Sequence, residues 1–82
     1  MKKVILVKPL EDFILEIEFD SGETGFFDAK PYLDKGIFTE LKNVDYFRNV
    51  RTNLGSICWE NGQDFSPETL YDKSIKIETK LK

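Results

Sequence analysis

Leu54-Gly55-Ser56-Ile57-Cys58-Trp59-Glu60-Asn61-Gly62-Gln63-Asp64-Phe65-Ser66-Pro67-Glu68-Thr69-Leu70-Tyr71 is the stretch that decides the fold. Asn61 and Gly62 both tolerate positive φ, so the pair predicts a two-residue hairpin turn between a strand ending near Trp59 and one beginning near Gln63. Ser66-Pro67-Glu68 then predicts the start of a helix. The serine hydroxyl can accept a bond from an orphan amide, proline suits the first helical position, and the glutamate favours the positive end of the helix.

Upstream, Arg51 to Leu54 and Ser56 to Trp59 read as extended segments broken at Gly55 by a turn or bulge. Phe13, Leu15, Ile17 and Phe19 alternate with Ile14, Glu16 and Glu18, the pattern of a strand with one face in the core and one mainly wet. Asp20-Ser21-Gly22 turns this strand into Glu23 to Asp28. Val4 to Lys8 is a continuous apolar run bounded by Pro9 and predicts a strand buried on both faces or nearly so. These three strands form an antiparallel meander. Short helical turns are expected around Tyr32 and Leu33, stopping near Gly36, and from Thr39. A single helix is expected over Asp45 to Val50, with Phe47 and Val50 on one face.

At the C-terminus, Ile75, Ile77, Thr79 and Leu81 alternate with Lys76, Glu78, Lys80 and Lys82, again a strand pattern. Inside its own sheet it would be an edge, guarded by lysines. Outside it, the segment would pair with another chain, a second copy giving a homodimer by mutual edge addition. The expected fold is thus α+β: one domain over residues 1–82, an antiparallel sheet of about four to six strands, one short C-terminal helix and helical turns in the middle.

Function is bounded mainly by exclusion. A chain of 82 residues buries only about 60 to 65% of its unfolded surface, too little for a large enclosed active site. There is no histidine, which removes every Ser-His and Cys-His catalytic arrangement, and the single Cys58 permits neither an internal disulfide nor a cysteine-based zinc site. Neither carboxylates nor lysines fall into a catalytic spacing, so no enzyme, cofactor or metal site is expected. No apolar run has the length of a membrane span, and the chain reads as cytoplasmic. The formal charge is −3, with Lys2, Lys3 and Lys8 at one end and Lys73, Lys76, Lys80 and Lys82 at the other, so the body between is acidic. Such a body repels phosphate backbones and attracts basic proteins.

The motifs Phe19-Asp20-x-Gly22, Phe27-Asp28, Leu33-x-x-Gly36-x-Phe38-x-x-Leu41, Phe47-x-x-Val50 and Gly55-x-x-x-Trp59-x-Asn61-Gly62-x-Asp64-x-x-Pro67-Glu68-x-Leu70-Tyr71 resemble the small bacterial domain-of-unknown-function family 2442 over residues 2–72. Glu60 departs from a frequent proline, and the alternating segment after Ser74 extends past the usual end. The resemblance implies a compact α+β domain. It further implies an antitoxin-like role, because stand-alone members look like partners of a neighbouring small protein in proposed toxin–antitoxin pairs.

Candidate interface residues are Phe26, Phe27, Trp59, Ile75 and Ile77. Phe26 and Phe27 are adjacent on a strand and point to opposite faces, so one of them lies away from the meander's main core. Trp59 either anchors the core or offers a stacking surface. Asn61, Gly62, Asp64, Ser66 and Pro67 form the structural motif, with Asp64 expected to accept backbone amides around the turn. Cys58 reads as a small apolar filler. The expected function is a non-enzymatic protein-binding module paired with a small basic protein. The alternative is a nucleic-acid-associated regulatory module that uses the lysine-rich ends.

Overall fold

The alternation over residues 13–19 becomes the strand around which everything else is arranged. In the computed structural model, which describes residues 2–77, Leu15, Ile17 and Phe19 of this strand are fully buried, and Ile14, Glu16 and Glu18 on the other face are half-exposed. The elements in chain order are β1 (Val4–Pro9), β2 (Ile14–Phe19), β3 (Thr24–Asp28), α1 (Val44–Phe47), β4 (Arg51–Asn53), β5 (Ser56–Cys58), β6 (Asp64–Phe65), α2 (Pro67–Lys73) and β7 (Ile75–Ile77), with 3-10 turns at Glu11–Phe13, Lys30–Tyr32 and Gly36–Lys42. The architecture is α+β and the first three strands form the expected meander. The strands divide between two antiparallel sheets, ordered β1-β2-β3-β7 and β4-β5-β6, rather than lying in one.

Strand β1 differs from its expected burial. Val4 pairs with Phe19 and Leu6 with Glu18, so Ile5 is one residue too many for the ladder and forms a bulge. The bulge turns both Ile5 and Leu6 outward, where they are 55% and 50% exposed, while Val4 remains in the core. The continuous apolar run therefore marks an irregular edge strand and not one buried on both faces.

The turn at Asn61-Gly62 also needs correction. Trp59 N–H donates to the Gln63 carbonyl at 3.0 Å and Gly62 N–H to the Trp59 carbonyl at 3.1 Å. The loop is thus three residues, Glu60 to Gly62, and only Gly62, at φ 98°, is left-handed. The hairpin between β2 and β3 closes in the same way through Gly22 at φ 94°, with Phe19 bonded to Glu23. The two-residue primed turn lies instead at Leu54-Gly55, with φ 53° and 85°, between the paired Asn53 and Ser56.

One core joins both sheets. Val4, Leu15, Ile17, Phe19 and Phe27 of the larger sheet pack with Ile57, Trp59 and Phe65 of the smaller, sealed by Leu33, Leu41, Phe47 and Leu70. The sheets are tied at their rim by Val4 N–H donating to the Gly55 carbonyl at 2.9 Å. Helix α2 begins as read: the Ser66 hydroxyl accepts from Thr69 N–H at 3.1 Å, followed by Pro67. Helix α1 is shorter than expected: its start is capped by the Asn43 side chain accepting from Tyr46 N–H at 3.2 Å, and it ends at Phe47. No helix among the described residues is long and apolar enough to cross a membrane.

Candidate functional site

The register of the larger sheet decides which side chains share its outer face. Leu6 lies opposite Glu18 and Lys8 opposite Glu16; Glu18 opposes Thr24, Glu16 opposes Phe26 and Ile14 opposes Asp28; Thr24 opposes Ile77 and Phe26 opposes Ile75. Residues directly opposite point to the same face. Two rows therefore cross all four strands, Leu6-Glu18-Thr24-Ile77 and Lys8-Glu16-Phe26-Ile75. The bulge adds Ile5 beside the first row.

Both helices lie on the other side, Phe47 of α1 and Leu70 of α2 belonging to the core. The outer face is consequently open. Ile75 is 74% exposed and Ile77 48%, matched on the far strand by Ile5 and Leu6, while Phe26 and Ile14 between them are half-buried. An antiparallel sheet can turn one face to water, but that face normally carries polar alternation. Here an apolar band crosses it, interrupted by the carboxylates of Glu16 and Glu18. Exposed apolar side chains on both sides of a charged centre make this face the candidate interaction surface.

Three of the five interface candidates, Phe26, Ile75 and Ile77, fall on this face. Phe27 and Trp59 do not, being 0% and 1% exposed. Phe27 points to the core side of β3, stacked on Tyr32 with ring centroids 5.6 Å apart and edge-on to Phe65 at 4.9 Å. The Trp59 indole N–H donates to the Phe47 carbonyl at 2.9 Å, which ties the smaller sheet to α1. Ile14 on this face is the residue that sequence already offered as a patch partner for the outward phenylalanine, whereas Ile5 and Leu6 are not evident there, because the bulge that exposes them depends on pairing with a strand ten or more residues away.

Segment 75–77 joins its own sheet as an edge beside β3, as the first of the two possibilities had it. Residues 78–82, including Thr79 and Leu81, lie outside the described residues. The close approach of this edge rests on Gly25: a Cβ there would sit 2.8 Å from the Ser74 Cβ and 3.3 Å from the Phe19 ring. The strand is also held through Lys76, whose ammonium donates to the carbonyls of Tyr71 and Ser74 and sits 4.3 Å over the Tyr71 ring.

The predicted structural motif is redistributed. Asp64 is exposed and pairs through its backbone with Cys58; among the described residues no amide donates to its carboxylate. The buried polar side chain beside the turn is instead Gln63, which is 1% exposed. Gln63 accepts from the Tyr46 hydroxyl at 2.7 Å and donates to the Ile37 carbonyl at 2.8 Å and to Glu40 at 3.0 Å. Asn61 completes the knot, its amide nitrogen donating to Glu40 at 2.7 Å and its backbone N–H to the Tyr46 hydroxyl at 2.8 Å. The bonds from Asn61 and then Gln63 hold the Glu40 carboxyl below its ordinary value. A second cluster joins Glu23 to Ser21, Tyr71 and Lys2. The Ser21 hydroxyl, then the Tyr71 hydroxyl and Lys2, lower the Glu23 carboxyl, and Glu23 raises the Tyr71 phenol. Each of these polar groups has a partner within the fold, so the clusters act as fasteners. Among the described residues, no three metal-ligating side chains come together.

The family model described as "Protein of unknown function (DUF2442)" matches residues 4–76, and the chain belongs to that family. The match takes in most of β7, which the sequence places past the usual end of the domain. No curated protein and no solved structure matches the chain.

Proposed function

We propose that this member of the DUF2442 family is a non-enzymatic protein-binding module, the acidic, antitoxin-like partner of a small basic protein, which it inhibits by covering a functional surface. The observation that carries the reading is the open face of the larger sheet. Ile5, Leu6, Phe26, Ile75 and Ile77 supply apolar area for a partner to bury, and Glu16 and Glu18 stand in its middle. A partner presenting Lys or Arg at the centre of an apolar surround matches both features, its charge steering encounter and its apolar surround supplying affinity. The nucleic-acid alternative is less well supported, because Lys2 is engaged with Glu23 and Lys76 with Tyr71.

The test is co-expression with the product of the adjacent gene, which this reading expects to be a small basic protein. A stable complex at physiological salt that weakens as salt rises is expected. Absence of a complex, together with submicromolar binding of DNA or RNA by the isolated protein, transfers the role to the nucleic-acid module.

A further inference from the structure

Where the connection between β1 and β2 meets α1, the side chains of Leu10, Phe13, Val44 and Phe47 line a cavity of about 300 Å³. Its size is at the small end of ligand sites, suited to a metabolite the size of an amino acid. The wall is fixed in advance. Asp12 and Phe13 are both left-handed, at φ 62° and 61°, a conformation that a phenylalanine adopts only when its surroundings impose it. They are imposed here by Lys30, whose ammonium donates to the Asp12 carbonyl at 2.8 Å and carboxylate at 3.0 Å. Ala29 N–H donating to the Phe13 carbonyl at 3.0 Å and the edge-on packing of Phe13 on Phe47 at 5.2 Å complete the constraint.

Glu11, Asp12 and Arg48 also line the cavity. Asp12 is committed to Lys30. Among the described residues Glu11 and Arg48 form no ion pair, with each other or with any other group, whereas the other arginine, Arg51, is paired with Glu60 at 3.6 Å. The cavity thus offers one available cation and one available anion beside an apolar floor. A monocarboxylate would satisfy Arg48 and be repelled by Glu11; a simple amine would meet the reverse. A zwitterion with an apolar side chain satisfies both.

We infer that this cavity binds a free apolar α-amino acid, side chain against Phe13, Val44 and Phe47, carboxylate toward Arg48 and ammonium toward Glu11. The site is independent of the open sheet face and of the function proposed for it.

The test is a titration of the isotope-labelled full chain, followed by amide chemical shifts, with three probes sharing one skeleton: leucine, isocaproate, which lacks the ammonium, and isoamylamine, which lacks the carboxylate. Leucine is expected to shift Phe13, Val44, Phe47 and Arg48 saturably, with each single-charge probe about tenfold weaker, the loss of one hydrogen bond to a charged group. Arg48→Gln should weaken leucine and isocaproate but not isoamylamine, and Glu11→Gln leucine and isoamylamine but not isocaproate. Both side chains are exposed, so neither variant threatens the fold. No saturable shift with leucine up to about 20 mM, or equal binding of all three probes, overturns the inference.

Discussion

Leu54 is the residue whose replacement should stabilise this protein. It occupies the first central position of a two-residue primed turn at φ 53°, where asparagine is favoured and a branched aliphatic side chain is not. It is also 97% exposed, so it contributes almost no burial to the core. Leucine in the left-handed region is disfavoured by about 1–2 kcal/mol, whereas asparagine visits that region routinely. Because no apolar contact is lost, Leu54→Asn should raise stability by about 1 kcal/mol. For a domain of this size that is a rise in Tm of about 4–8 °C, readable by thermal or urea unfolding followed by circular dichroism. The opposite change at the next residue is the control. Gly55 is at φ 85° with Lys3 only 3.3 Å from where a Cβ would stand, so Gly55→Ala should destabilise. Equal or lower stability of Leu54→Asn would refute the primed turn and the strain assigned to it.

Gly25→Ala should detach β7, because the new methyl group meets the Ser74 Cβ at 2.8 Å; overpacking of this kind costs about 1–3 kcal/mol, and amide exchange at residues 75–77 should accelerate more than at β2. Acid should loosen the knot around Gln63. The Glu40 carboxyl is lowered from 4.5 by Asn61 and Gln63, so its contribution is present above that pH and is lost as pH falls through the folded value. Glu40→Gln should therefore flatten the decline in stability below pH 4.5, and an unchanged acid profile would show that the carboxylate is not what the two amides hold.

How much of this was legible depended on the range over which each signal acts. The period-two pattern of β2 and the Ser66-Pro67 helix start are local, and both stand where the residues put them. The preference of Asn61-Gly62 for a two-residue turn is local as well, but the Trp59–Gln63 pairing sets a longer loop. The Ile5 bulge is invisible for the same reason, since register belongs to two strands and not to one. Gln63 was missed because a lone glutamine looks like surface; only Tyr46, Glu40 and Ile37 together make its burial affordable. At the candidate site, adjacency alone required that Phe26 and Phe27 diverge, and the sheet then decided that Phe26 is the outer one.

The open face is tested most directly by comparing two exposed isoleucines. Ile75 stands on the face and is 74% exposed; Ile37 is 60% exposed on the 3-10 turn at Gly36–Lys42, away from it. Calorimetric titration of the adjacent gene's product into Ile75→Lys and Ile37→Lys variants separates the two surfaces. A loss of at least about tenfold in affinity for Ile75→Lys, with Ile37→Lys close to the unmodified protein, is the predicted result, since a positive charge placed within an apolar interface against a basic partner exceeds that threshold. Undiminished binding by Ile75→Lys, or a loss confined to Ile37→Lys, would contradict the assignment of the open sheet face as the binding surface.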